Sequence, residues 1–332
     1  MKKFVAIILS LIMILSMTAC GGNSDAQKWP KKGSSIEIIV PFAAGGAMDL
    51  SARLTGKYLE KYLGVTVTIN NVEGGANWTG YEKIEKAEGD GYTLGFANYP
   101  GQVGGYLDPS KKRTETFRSF TNIANIVHDP GIIVVKEDSP YKTLQDLLDA
   151  AKAGTVLNVA TGGGNGSDDD TLVRLINRAM GNENLNSLKN ENDKLAKAAL
   201  LGGEADLQAC NVSNYCKTYK STGQTDSVRV LAIFDEKKQD LMPDIPTIDE
   251  LTIAELKGLY SSSDRGLIAT KNLDPAIVPI IVDALKKTQT DADFIKDATE
   301  QGMAINMLFG AEFEKFIEGV ENTIKDLKIY GN

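Results

Sequence analysis

Apolar residues along the chain fall into two alternating rhythms. Short apolar runs at 36–42, 65–70, 93–97, 132–136, 157–160, 206–208 and 228–234 predict strands. Between them the apolar positions recur at helical spacing. Leu50, Leu54, Tyr58, Leu59, Tyr62 and Leu63 form one stripe, which Gly64 closes. Helices are also expected over 143–153, 167–180, 193–201, 274–287 and 312–328. Ser167 caps the second of these, and Asp168, Asp169 and Asp170 fill its first turn, where the helix dipole favours acids. Gly202 and Gly203 end the 193–201 helix, and Pro275 suits a first helical position. Strands alternating with helices favour an α/β sheet architecture.

The first 19 residues stand outside this alternation. Lys2 and Lys3 precede an almost wholly apolar run, 4–15, shorter than the roughly 20 residues that span a bilayer. Leu15-Ser-Met-Thr-Ala-Cys20 then ends in small residues before a cysteine. This resembles a bacterial lipoprotein signal, in which cleavage before Cys20 leaves that thiol to carry lipid; an ordinary secretory signal is the alternative. Residues 20–33 read as a polar tether. The remainder is long enough for two domains with cores of ordinary size. Asp129-Pro130-Gly131 and the 243–247 stretch look like crossings between them. Two crossings give a discontinuous lobe 1 of 34–131 plus 248–332, wrapped around a continuous lobe 2 of 132–247.

Composition enters mainly as exclusion. The chain carries 36 basic and 44 acidic residues, a formal net charge of −8. Removal of residues 1–19 takes away two lysines and no acid. Nucleic acid is therefore excluded as a partner, since its binding depends on clustered Lys and Arg. His128 is the only histidine, so a multi-histidine zinc site is impossible. A Ser–His–Asp arrangement would have to use His128, and no Gly-x-Ser-x-Gly elbow supports it. Cys210 and Cys216 on one continuous helix would lie about 9 Å apart by rise alone, too far for a disulfide. Pairing requires Cys210 in the loop before the helix, and two unpaired thiols are the alternative. No catalytic residue, metal or cofactor is expected.

Chemistry concentrates instead in glycine-bearing turns that follow strands. The first holds Phe42, Ala43, Ala44, Gly45 and Gly46, with Met48 and Asp49 at the start of the next helix. The second holds Gly74, Gly75, Ala76 and Asn77, and the third runs from Thr161 through Gly163 and Gly164 to Ser167. Such turns aim free backbone N–H groups at one spot, and the positive end of a helix dipole adds to them. In open α/β sheets, ligands gather beyond the carboxyl ends of strands, where all three turns fall. Neither the Walker motif nor the dinucleotide fingerprint occurs here, which disfavours phosphate. Asp49 reads equally as a first-turn cap paired with Arg53 and as the border of an anion pocket.

At these residues a family resemblance appears. Val40-Pro-Phe-Ala-Ala-Gly-Gly-Ala-Met-Asp49 with Ala52-Arg53 resembles the signature of Bug-type substrate-binding proteins, the extracytoplasmic receptors of tripartite tricarboxylate transporters. The likeness continues at 71–80, at Asp90-Gly-Tyr-Thr-Leu94, at Leu201-Gly-Gly-Glu-Ala-Asp206, at Val228-Arg-Val-Leu-Ala232 and at Pro243-Asp-Ile-Pro-Thr247. It implies a two-lobed periplasmic-binding-protein fold, type II-like, closing on a small carboxylate with no reaction catalysed. By the same resemblance, the 42–46 and 74–77 loops hold a ligand carboxylate, and Asn98 and the 161–167 loop complete the cleft. The implied partners are membrane permease subunits; the Cys20 reading adds a lipid-anchored monomer on the extracytoplasmic face of the cell membrane, where many members of the family float free. A receptor for a membrane signalling partner and, less favoured, a secreted enzyme acting on a carboxylate are the alternatives. Trp78 and Asn98-Tyr99-Pro100 depart from the family's smaller residues, and their bulk is expected to narrow the cleft or offer it an aromatic face.

Overall fold

The computed structural model describes residues 29–75, 77–163 and 167–330. The expected signal segment, with Cys20, lies outside the described residues, as do Ala76 and Gly164. The opening strand β1 (Ser35–Val40) buries Ile36, Ile38, Ile39 and Val40 completely, because both of its faces are covered. It pairs in parallel with β2 (Thr66–Asn71) on one side and β3 (Thr93–Tyr99) on the other. An antiparallel strand, β10 (Asp264–Thr270), then joins β3 to β4 (Phe120–Val127), giving the order β2-β1-β3-β10-β4.

The second sheet repeats this plan. Its strands are β5 (Gly131–Lys136), β6 (Leu157–Thr161), β7 (Leu185–Lys189), β8 (Leu207–Asn211) and β9 (Val228–Ile233), in the order β7-β6-β8-β5-β9. Here β7, β6 and β8 are parallel, and β5 runs antiparallel between β8 and β9. The expected two-lobed α/β fold is present. Among the described residues no helix is long and apolar enough to cross a membrane.

Helices cover the sheets. The predicted stripe is α1 (Ala47–Leu63), ended by Gly64 in the left-handed region, and it buries Leu54, Tyr58 and Leu59 against β1 and β2. Short helices α2 (Trp78–Glu85) and α3 (Gly101–Leu107) follow β2 and β3. On the second sheet, α4 (Leu144–Lys152), α5 (Asp168–Met180) and α6 (Asp193–Gly202) match expectation, each opened by a side-chain cap from Thr143, Ser167 or Asn192. A single turn, α7 (Val212–Tyr215), follows β8. The chain ends in α8 (Val278–Gln289), α9 (Ala292–Glu300) and α10 (Gly310–Asp326) on the first lobe. Cys210 lies in β8 and Cys216 beyond α7, and both thiols are free.

Several elements were not foreseen, and β4 and β10 show why. Asn122 and Asn125 interrupt the apolar run of β4, yet both are buried. The Tyr99 hydroxyl donates to Asn122, and Asn125 donates to Asp264 and to the Asn306 carbonyl. In β10 the first two residues are charged, Asp264 and Arg265, and both are buried. A polar group is tolerated inside only with partners, and those partners are distant in sequence.

The chain passes from β4 to β5 through His128–Pro130. It returns at 261–264 and not at 243–247, which corrects the second crossing. The 243–247 stretch stays beside β9, where Ile233 donates to the Pro246 carbonyl and Ile248 to that of Ile233. At the true crossings the two segments hydrogen-bond to each other, Gly131 to Ser261 at 2.8 Å and Ser263 to Asp129 at 2.8 Å.

Candidate functional site

Each sheet reverses its strand order once. β1 sends its connections to opposite sides, to β2 and onward to β3, and β6 does the same with β7 and β8. Such switch points open a crevice at the carboxyl ends of the strands. The 42–46 turn leaves β1 and the 162–167 turn leaves β6, so two of the predicted turns stand at the two switch points.

The first turn is held from both sides. Asn71, at the end of β2, donates through Nδ2 to the Phe42 carbonyl at 2.9 Å. The Asp49 carboxylate accepts from the Gly45 N–H at 2.8 Å and from Arg53 Nε at 2.9 Å. Burial pushes the Asp49 carboxyl up, but the hydrogen bonds from Arg53, Gly45 and Asn71 outweigh it and hold it below the usual range. Gly45 turns at φ +80°, a conformation only glycine adopts freely. Asp49 is thus the brace of the turn. Gly46 begins α1 with no side-chain cap, so the N–H groups of Gly46, Ala47 and Met48 keep no protein partner among the described residues. The Met48 side chain is buried in the lobe core, so only its backbone is presented.

The second turn lies beside the first because α2 packs directly on the end of β1. A Cβ on Gly80 would meet Pro41 at 2.7 Å. Arg113 donates to the Gly75 carbonyl at 2.7 Å, and Asn77 carries the chain into α2 at φ +76°. Trp78 does not line a cleft. It is 3% exposed, packs on Tyr81 with ring centroids 5.4 Å apart and lies against Gly105. Tyr99 is also core, edge-on to Phe313. The expectation of aromatic bulk at the cleft is corrected on both counts, since each ring fills space under α2 or α10.

Asn98 is the second-last residue of β3, with Nδ2 donating to Ser263 Oγ at 2.8 Å. In register beside it on β10 is Arg265, which no sequence pattern had singled out. Arg265 is 2% exposed; its Nη2 donates to Asp129 Oδ2 at 2.7 Å. Among the described residues its Nε and Nη1 have no hydrogen-bond partner. Asp129 in turn accepts from the N–H of Ser213 at 2.9 Å and from its hydroxyl, at the start of α7 in the other lobe. A buried guanidinium left half unsatisfied costs several kcal/mol. Gln102, in the first turn of α3, is also buried with neither amide atom partnered.

The second lobe presents acids. Gly162 donates its N–H to Asp169 Oδ2 at 3.0 Å, Ser167 Oγ donates to the Gly162 carbonyl at 2.7 Å, and Thr161 Oγ1 lies 3.1 Å from Ser187 Oγ. Gly163 is exposed at φ +73°. Asp168 faces the Ser263 hydroxyl and lies within electrostatic reach of Arg265, so this wall meets the Asn98–Ser263–Arg265 row of the first. Asp193, opening α6, stands beside Asp169, and the two carboxyl groups share a hydrogen bond. Burial, then the charge of Asp168, pushes Asp193 up to about 6; burial and the two neighbouring acids push Asp169 well above its usual range. Burial also raises Asp168, against the pull of Arg265.

A second concavity lies elsewhere. A groove of about 1150 Å³ is lined by His128, Asp235, Ser262, Met303 and Phe316, among others. It contains none of the glycine turns. Its histidine is already paired, Nδ1 to Asp264 at 2.8 Å and Nε2 to Asp235 at 3.1 Å. These two acids outweigh burial and raise His128 well above its usual value. The groove therefore offers a ligand less unsatisfied chemistry than the seam between the lobes.

Comparison with known proteins bears on fold and family. The model of a family described as the tripartite tricarboxylate transporter family receptor matches residues 51–328. Protein BugT of Bordetella pertussis is 27% identical over 282 residues, covering 82% of each chain. A TctC solute-binding protein from Polaromonas superposes with a TM-score of 0.77 at 25% identity, over 90% of this chain and 99% of that one. MatC from Rhodopseudomonas palustris, solved with bound malate, superposes with a TM-score of 0.68 at 22% identity, over 90% and 99%.

Proposed function

The chain belongs to the tripartite tricarboxylate transporter receptor family, and from that premise we propose that it captures a small carboxylate in the seam between its lobes and delivers it to a membrane permease. The carrying observation is the first switch point, where Gly46, Ala47 and Met48 present N–H groups with no protein partner at the positive end of α1. The site comprises these groups with 74–77, Asn98 and the 161–167 turn. Closure follows from one ligand touching both walls, since a ligand shifts only states that it binds unequally. The malate bound by MatC has the chemistry such a site accepts. No catalysis is assigned: the only histidine is committed to two carboxylates at the crossing.

The test is a thermal-shift panel of mono-, di- and tricarboxylates, amino acids and phosphate esters on residues 29–332. A ligand at 100 times its dissociation constant adds about 2.7 kcal/mol of stability. Stabilisation by phosphate esters and by no carboxylate would overturn the reading. We also assign Cys20 as a lipid anchor. A Cys20→Ser chain, expressed in a bacterium, is expected to leave the membrane fraction, and its retention there would remove the anchor.

A further inference from the structure

The first crossing between the lobes has two faces, because successive residues of an extended segment point opposite ways. Asp129 turns to the seam, where it meets Arg265 and Ser213. His128 turns the other way, into the groove of about 1150 Å³, together with Asp235 and Ser262. Its ring touches both lobes. Nδ1 lies 2.8 Å from Oδ1 of Asp264, the first residue of β10 in the first lobe. Nε2 lies 3.1 Å from Oδ2 of Asp235, just past the end of β9 in the second. Phe316 of α10 stands edge-on to the ring, with centroids 6.3 Å apart.

The count of donors sets the charge of this ring. Both nitrogens face carboxylate oxygens, and a neutral imidazole carries only one N–H. The two acids have no need of a proton of their own. Asp264 also accepts from Asn125 Nδ2 at 3.1 Å and from the Ser262 hydroxyl. Asp235 also accepts from the Glu236 N–H at 2.8 Å and from Gln239 Nε2 at 2.7 Å. A carboxylate that collects several donors is held ionised. The proton that satisfies both contacts therefore belongs to the ring. Other charges line the same groove: Glu312 and Lys315 on α10, and Glu236, Lys237, Lys238 and Asp240 beyond β9. They number three of each sign, which leaves Asp235 and Asp264 to decide the ring's state. Burial opposes the proton, but these two acids outweigh it.

We propose that His128 is a proton-dependent clasp on the hinge. As the imidazolium it ties Asp235 of the second lobe to Asp264 of the first; as the neutral imidazole it donates to only one of them, which frees the angle between the lobes. At the clasped angle Asp168 of the second lobe meets Ser263 of the first crossing's partner strand. Acid thus favours the closed seam and alkali loosens it. A ligand that draws the lobes to this angle takes up a proton as it binds, because coupling between two sites is reciprocal. The clasp acts on the empty protein as well, so its test needs no identified ligand and leaves the receptor reading untouched.

The histidine is alone in the chain, so the imidazole nitrogen-15 spectrum of the unaltered, untagged protein reports this one ring. A midpoint above the ordinary value of 6.5 is expected, with both ring N–H groups present below it. A midpoint at or below 6.5 overturns the clasp. Small-angle X-ray scattering on the ligand-free protein then reads the lobes. The radius of gyration is expected to grow by about 0.5 Å or more as pH rises through the measured midpoint. A constant radius while the ring titrates also overturns it. His128→Gln keeps one donor and one acceptor and is expected to show the alkaline radius at every pH. Asp235→Ala leaves the histidine and Asp264 in place; it is expected to lower the midpoint by about 1 pH unit or more and to abolish the change in radius. Both substitutions face an open groove. A radius that still follows pH in either folded variant removes His128 from control of the hinge.

Discussion

The two walls of the seam are built on the same strand order and do opposite things with it. Each has a parallel trio, a glycine turn leaving the central strand and a helix starting just beyond. In the first lobe one acid, Asp49, takes a single N–H, that of Gly45, and leaves those at the head of α1 open. In the second lobe Asp169 takes the Gly162 N–H and Ser167 caps α5 through the Asp170 N–H, so the dipole end is already filled by the chain's own groups. The same backbone device keeps its donors open where no side chain reaches them. It becomes an acidic wall where side chains claim them. Topology places a site, but side chains decide its sign.

The sharpest way to break this contrast is to remove one free donor from the first wall. Gly46 has φ −76°, within the range proline adopts. Gly46→Pro is thus expected to fold and to lose about 10–100-fold in carboxylate affinity, the worth of a charge-assisted hydrogen bond. Wild-type affinity by calorimetry would reduce the turn to a structural role.

Next in size is a methyl group on each turn. A Cβ at Gly162 would lie 2.7 Å from Asp193 Oδ1 and 2.9 Å from the Asp193 backbone nitrogen. Gly162→Ala is expected to cost about 1–3 kcal/mol in chemical denaturation, through overpacking. At Gly45 the added Cβ meets nothing within 4 Å, so Gly45→Ala carries only the strain of its φ, about 1 kcal/mol. Equal losses would show that the second turn is as open as the first.

The acid pair makes a pH prediction of comparable size. Asp193 is raised to about 6 in the fold, above its ordinary value near 3.9. The folded state therefore holds a proton that the unfolded chain releases, and stability falls as pH rises through that window. Asp193→Asn is expected to be about 1–3 kcal/mol more stable than the native chain at pH 7.5. That advantage should fade as pH falls towards 4. A constant difference between pH 4 and 8 would detach Asp193 from Asp168 and Asp169.

The smallest effect concerns the crossing that joins the walls. His128 is raised above its ordinary value near 6.5 by Asp264 and Asp235. Its contribution is complete below 6.5 and disappears as pH climbs through the raised value. His128→Gln is expected to cost about 1 kcal/mol at pH 6 and progressively less above pH 8. A deficit that grows with pH would mean the histidine is held neutral.

Sequence periodicity recovered the first strand, the long helix after it and most of the parallel strands, because each buries a continuous or striped apolar face. The glycine turns were legible too, since a strand, a turn and a helix start are local events. Strand β10 was not, and with it Arg265 went unseen. A charged pair opening a run reads as surface until its partner is known, and Asp129 lies 136 residues earlier. Trp78 misled for the mirror reason: its neighbourhood in sequence is the turn, while its neighbourhood in space is Tyr81 and Gly105. The chain alone thus determined the two-lobed α/β plan and the position of the glycine turn between β1 and α1, which depend on apolar rhythm and backbone geometry over a few residues. Only the tertiary structure decided which charges face one another across the seam, because burial and ion pairing join residues that the chain keeps far apart.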